Sequence, residues 1–175
     1  MAWLAAGADR FIQAVIVMKK RVRCLVRGIV QGVGFRPFVF RTATRHNLAG
    51  FVRNSRTGVV IEVEGEESAV NGFLGELRSS APARSEILEI ECADIPLLQE
   101  TSFRIIESHT EGPVSAHSAP DSATCKDCVE ELFQPENRRF RYPFITCSVC
   151  GPRLTIVRDV PYDRATTSMA CFPLC

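Results

Sequence analysis

Gly28-Ile29-Val30-Gln31-Gly32-Val33-Gly34-Phe35-Arg36, followed by Pro37-Phe38, is the stretch on which the fold turns. Three glycines leave a loop with almost no side-chain bulk, so backbone N–H groups can converge on an anion. Arg36 adds a fixed fork of donors where a helix is expected to begin. Pro37 suits the first turn of that helix, where its missing N–H costs nothing. A plain glycine-rich turn accounts for the glycines alone. It does not account for Arg36 together with Asn54, which stands at the end of the next apolar run.

The flanking sequence extends this reading. Val22, Cys24 and Val26 alternate through Arg21–Arg27, as in a half-buried strand. Phe38, Val39, Thr42 and Ala43 recur at helical spacing, and that helix is expected to end near Asn47, ahead of Gly50. Phe51 to Arg53 reads as a short strand and residues 54–58 as a turn, with Val59, Ile61 and Val63 lining the next strand. Ala69, Val70, Phe73, Leu74 and Leu77 form a second helical stripe, weakened at Gly72 and Gly75 by about 1 kcal/mol each relative to Ala. Residues 86–94 and 102–106 are further strand candidates. The order β-α-β-β-α-β defines a ferredoxin-like α+β sandwich, an antiparallel sheet with two helices on one face, plus a final edge strand.

The chain has 175 residues, 46% of them hydrophobic, and a net charge of +1, which suits one ordinary domain and a smaller module. No apolar run has the length of a membrane span. Residues 1–19 read as an N-terminal extension. Asp9, Arg10 and Gln13 interrupt its apolar stretch, so it makes a poor signal peptide, and Met18-Lys19-Lys20 looks a more natural start. From Lys20 to Arg56 there are nine Lys or Arg and no Asp or Glu. That excess surrounds the glycine loop and suits a site that attracts small anions, although most of these arginines are expected to pair with later glutamates across the sheet. Near-neutrality argues against nucleic-acid binding. An RNA-recognition module has the same element order but needs aromatics on its central strands, where this chain has Val59, Val60 and Ile61.

Of eight cysteines, Cys24 and Cys92 sit singly in strand-like runs and read as buried thiols. The other six fall in the last 51 residues, after a linker over 109–122 rich in Ser, Pro and His. Cys125-x2-Cys128 and Cys147-x2-Cys150, with eighteen residues between them, are a zinc pattern, because each tight turn offers two thiolates. A redox pair explains one C-x2-C but not two. Without a secretion signal these cysteines point to a reducing cytoplasm. His46, His109 and His117 have no partners at catalytic spacing and read as surface or linker residues.

The loop with Arg36, and Gly50-Phe51-Val52-Arg53-Asn54, resemble the two signatures of acylphosphatases. Gly34-Phe35-Arg36-Pro37-Phe38 resembles more closely the N-terminal domain of the HypF family of hydrogenase-maturation carbamoyltransferases. Tyr142-Pro143-Phe144, Cys150-Gly151-Pro152-Arg153, Pro161-Tyr162-Asp163-Arg164 and Thr167-Ser168-Met169 resemble the zinc-finger region of the same family. There a third C-x2-C begins at the place of Cys175 and a fourth pair follows, so residues 123–175 are expected to form an incomplete zinc-finger module. The resemblance runs from residue 20 to 175 and matches only the front part of the family protein.

The resemblance implies an acylphosphatase-like domain over 20–108. Its phosphate cradle would be the N–H groups of Gln31, Gly32, Val33, Gly34, Phe35 and Arg36, with Arg36 balancing charge and Asn54 orienting the attacking water. The candidate metal ligands are Cys125, Cys128, Cys147, Cys150 and Cys175, holding structural zinc in one site or in interleaved pairs, and hydrolysis itself would need no cofactor. The implied substrate is an acyl phosphate, above all carbamoyl phosphate. In the full family protein the carbamoyl group goes, with ATP, to a partner on the route to the cyanide ligands of nickel–iron hydrogenase. Three readings follow: a hydrolase of acyl phosphates, a carbamoyl-phosphate binding or channelling module, and a zinc-ribbon interaction fragment. Neither a nucleic-acid nor a membrane partner is expected.

Overall fold

The structure, a computed structural model, describes residues 18–117 and 119–172. The extension up to Val17, and Cys175, lie outside the described residues.

Alternation builds the first strand. β1 (Lys19–Ile29) buries Val22, Cys24 and Val26 on one face and runs two residues beyond the expected strand at each end. After the glycine loop comes α1 (Phe35–Arg45), which turns Phe35, Phe38, Val39, Thr42 and Ala43 inward. β2 (Ala49–Ser55) and β3 (Gly58–Glu66) form a hairpin closed at Arg56-Thr57. α2 (Glu67–Ser79) packs Val70, Phe73 and Leu77 into the core, and β4 (Glu86–Asp94) and β5 (Phe103–Ile105) complete the sheet.

The sheet order is β4-β1-β3-β2-β5. The first four strands pair antiparallel, as the ferredoxin-like order demands, but β5 runs parallel to β2, so the sheet is mixed. Val22, Cys24 and Val26 of β1, with Val59, Ile61 and Val63 of β3, face the two helices in one continuous core.

The opposite face carries charge. Arg21 is 4% exposed and donates to Glu62 at 2.6 Å and Glu100 at 3.2 Å, while the backbone N–H groups of Leu98 and Gln99 donate to Glu64 at 2.8 and 2.7 Å. Arg27 pairs with Glu89 and Glu91 at 2.5 and 2.8 Å. The expected cross-sheet pairing of arginines therefore holds for these residues.

Two expectations are corrected. Asn54 lies on β2, opposite Val59, and not in the turn, because the ladder continues to the Ser55–Gly58 pair. Cys24 and Cys92 are not separate buried thiols. The antiparallel register of β1 and β4 sets them directly opposite each other, and they form a disulfide in which Cys24 is buried and Cys92 exposed.

The chain then crosses back over the β2 edge. Ile106 N–H donates to Val52 O, His109 N–H to Asn54 O, and Ser115 and Ala116 N–H to Arg56 O, at 2.8–3.1 Å. This seam leads into α3 (Lys126–Phe133) and a loop-rich segment with short 3-10 turns at Leu154–Ile156 and Arg164–Thr166. Among the described residues no helix is long and apolar enough to cross a membrane.

Candidate active site and metal centre

The glycine loop adopts a conformation that glycine makes possible. Gly32 has φ 76° and Gly34, the N-cap of α1, has φ 79°, both in the left-handed region. Gly34 brings no side-chain cap, and the first turn of α1 holds no acidic residue, so its N–H groups and the positive end of the helix dipole face the loop. Val33 and Phe35 are each 1% exposed, so only their backbones can reach a ligand.

Of the residues expected to act, Arg36 and Asn54 line the same cavity. It encloses about 270 Å³ and is also lined by Val30, Gly32, Gly34 and Tyr162. Asn54 is 1% exposed. Its Nδ2 donates to the Tyr162 carbonyl at 3.0 Å, whereas its buried Oδ1 has no hydrogen-bond partner among the described residues. A carbonyl only accepts, so the amide group of Asn54 must face Tyr162 and its oxygen must face away. An unpartnered buried acceptor costs about 1–3 kcal/mol and marks a place for a water or ligand donor.

The side chain of Gln31 has another task. It is 1% exposed, and its Nε2 bridges Ser55 O and Gly58 O at 2.8 and 2.9 Å, fixing the β2–β3 turn beside the loop. Its Oε1 accepts from Tyr162 N–H at 2.7 Å. Arg36 donates to Asp163 Oδ1 at 2.7 Å, and Ser108 donates to the other oxygen of Asp163. Gln31, Arg36 and Asn54 of the two signatures thus meet two consecutive residues from the far end of the chain. Tyr162 and Asp163 enter the sequence reading only as marks of resemblance, because nothing local in Pro-Tyr-Asp-Arg points to a site over 100 residues away. Thr146, Cys147, Ser148 and Gly151, on the second C-x2-C turn, complete the cavity wall and were likewise not legible as such.

Cys125, Cys128, Cys147 and Cys150 converge, with all four Sγ atoms within 4.8 Å of one another. The Cys125–Cys147 and Cys128–Cys150 Sγ separations are 3.6 and 3.9 Å. A tetrahedral zinc with Zn–S bonds of about 2.3 Å sets its sulfurs about 3.8 Å apart, so the donor set fits that ion. Burial pushes the Cys128 thiol up, with its three cysteine neighbours adding to the effect. Burial also pushes Cys150 up, but hydrogen bonds from the Cys125 and Cys147 backbone, Thr146 and Arg153 outweigh it and bring it down to about 5. Arg153 braces the cluster from outside, donating to Cys150 Sγ at 3.4 Å and to Thr124 and Ile145. Cys171 is exposed and stands apart from the four.

A sequence model of the acylphosphatase family matches residues 22–105, and one of the HypF finger matches 124–157. The acylphosphatase of Chlorobaculum tepidum is 39% identical over 87 residues, which cover 49% of this chain and 91% of that protein. The chain belongs to the acylphosphatase family. Its two halves together match the N-terminal region of HypF carbamoyltransferases. Carbamoyltransferase HypF2 of Cupriavidus necator is 49% identical over 160 residues, covering 89% of this chain and 20% of that protein. A crystal structure of full-length HypF in its phosphate- and nucleotide-bound form superposes with a TM-score of 0.83 at 45% identity, covering 90% of this chain and 21% of that one. The chain spans about a fifth of the length of the HypF relatives it matches.

Proposed function

We propose that residues 20–108 hydrolyse acyl phosphates, with carbamoyl phosphate as the substrate, and that residues 123–175, joined by the 109–122 segment, form a zinc-finger module that walls the same site. The phosphoryl oxygens sit in the N–H cradle of Gln31 to Arg36, and Arg36 balances their charge. Asn54 Oδ1 accepts a hydrogen bond from water and holds it in line with the phosphorus. The water oxygen bonds to phosphorus, the bond from phosphorus to the acyl oxygen breaks, and its electron pair leaves with the carbamate or carboxylate. The water proton passes to the phosphate product. A carbamate or carboxylate leaves readily, so the weakly basic carboxamide suffices for positioning.

The observation that carries this reading is Asn54. Its amide is anchored, its oxygen is buried and unpartnered, and the residue lines a cavity that also holds Arg36 and the glycine loop. Cys125, Cys128, Cys147 and Cys150 would hold zinc, which supplies a fixed tetrahedral cross-link and no reaction chemistry. Delivery of a carbamoyl group to a hydrogenase-maturation partner, which the family resemblance implies for the longer protein, is proposed here only as the setting of this domain.

The test is phosphate release from carbamoyl phosphate and from an aromatic acyl phosphate by the zinc-loaded chain. Arg36→Ala should reduce turnover by about 10³-fold or more and weaken binding of inorganic phosphate. Equal phosphate affinity in the two proteins would sink the site.

A further inference from the structure

Arg36 already has a carboxylate partner at one end of its guanidinium. Its Nη2 donates to the Asp163 carboxylate at 2.7 Å and lies 3.4 Å from the Tyr162 carbonyl. Asp163 is held in place from three sides. Ser108 donates to its other oxygen, Tyr162 N–H is tied to Gln31 at 2.7 Å, and the Asp163 backbone N–H donates to Thr166 Oγ1 at 3.0 Å at the start of the 3-10 turn. The side chains of Arg36 and Asp163 are only 23% and 30% exposed, so their attraction is weakly screened.

We propose that Asp163 sets the anion affinity of this site by competing intramolecularly with phosphate for Arg36. The inference rests on Arg36 being the phosphate-binding arginine. A phosphoryl group in the loop brings about two negative charges next to Arg36, and Asp163 adds a third charge of the same sign. The carboxylate must therefore give up its bond to Arg36 or share it at a cost in repulsion. The site then binds its substrate and its phosphate product less tightly than Arg36 and the loop would alone, and product leaves faster.

The experiment is calorimetric titration of inorganic phosphate into the zinc-loaded chain, its Asp163→Asn variant and its Arg36→Ala variant. Asp163→Asn keeps an acceptor for Ser108 and removes the charge. It is expected to lower the Kd for phosphate about tenfold or more and to lower KM for carbamoyl phosphate with it. An unchanged or weaker affinity overturns the proposal. Loss of binding in Arg36→Ala keeps the underlying site reading intact in either case, whereas unchanged binding there would break that reading separately. A second measurement uses the unmodified chain. The carboxyl-carbon resonance of Asp163 should shift on saturation with phosphate as the ion pair opens, and a resonance that stays in place contradicts displacement.

Discussion

Residues 19–105 bury valines, isoleucine, leucines and phenylalanines in one core that runs from Val22 to Phe103 and takes in Ala119 of the connecting segment, and two helices cover it. In residues 125–156 the buried apolar cluster among the described residues is Cys128, Ile145 and Cys150, and two of these are cysteines of the metal group. Phe133, Phe144 and Val149 of the same module are 69%, 47% and 60% exposed. The first half thus has an apolar core able to fold it, while the second has little burial to offset the entropy of its loops, as expected of a module that a metal would cross-link. The difference also divides the proposed site. The sheet half supplies loop, arginine and asparagine, and the cysteine half supplies a wall and two residues seated on them.

Removing the metal should separate the halves most sharply. Structural zinc contributes roughly 10–16 kcal/mol of folding energy in small fingers. A strong chelator should abolish hydrogen-exchange protection around Cys125–Ile156 and leave β1, β2 and β3 protected. Loss of protection in the sheet as well would mean that the halves fold as one unit. Next in size, Phe73→Ala, at a fully buried position on α2, should cost about 3–5 kcal/mol as a fall in the urea midpoint of the sheet half. Zinc stoichiometry should not change, and a variant that also loses zinc would join what the comparison separates. Smallest is Gly32→Ala. Its φ of 76° suits glycine, and an added Cβ would lie 2.9 Å from Pro152 Cδ and Cγ. Strain of about 1–3 kcal/mol is expected there. It should appear as raised exchange at Gly151 and in Tyr162-Asp163, where the halves touch, with the sheet core unchanged.

The halves differed as much in legibility. The alternations Val22-Cys24-Val26 and Val59-Ile61-Val63 set two strands with their buried faces, and the stripe through Val70, Phe73 and Leu77 set a helix, because burial acts on local period. The four-cysteine cluster was legible from spacing, since two thiolates per tight turn is a local constraint. Asn54 reads as part of a turn, because a polar residue before Ser-Arg-Thr-Gly looks like one until its strand partner, Val59, is known. The Cys24–Cys92 bond depended on the register of β1 against β4, which no local pattern specifies. The same applies to Tyr162 and Asp163. Their partners Gln31, Asn54 and Arg36 come from the other half, and only the packing of the two modules brings them together.

The most direct test is a pair of measurements on one variant. Asn54→Ala removes the carboxamide that we propose holds water and leaves Arg36 and the loop intact. Phosphate release from carbamoyl phosphate, corrected for spontaneous hydrolysis, should fall about 10²–10³-fold, while the Kd for inorganic phosphate stays within about threefold of the parent chain. Turnover that survives the substitution, or a parent chain that binds phosphate and releases none from carbamoyl phosphate, would contradict the assignment of a hydrolytic site to this cavity.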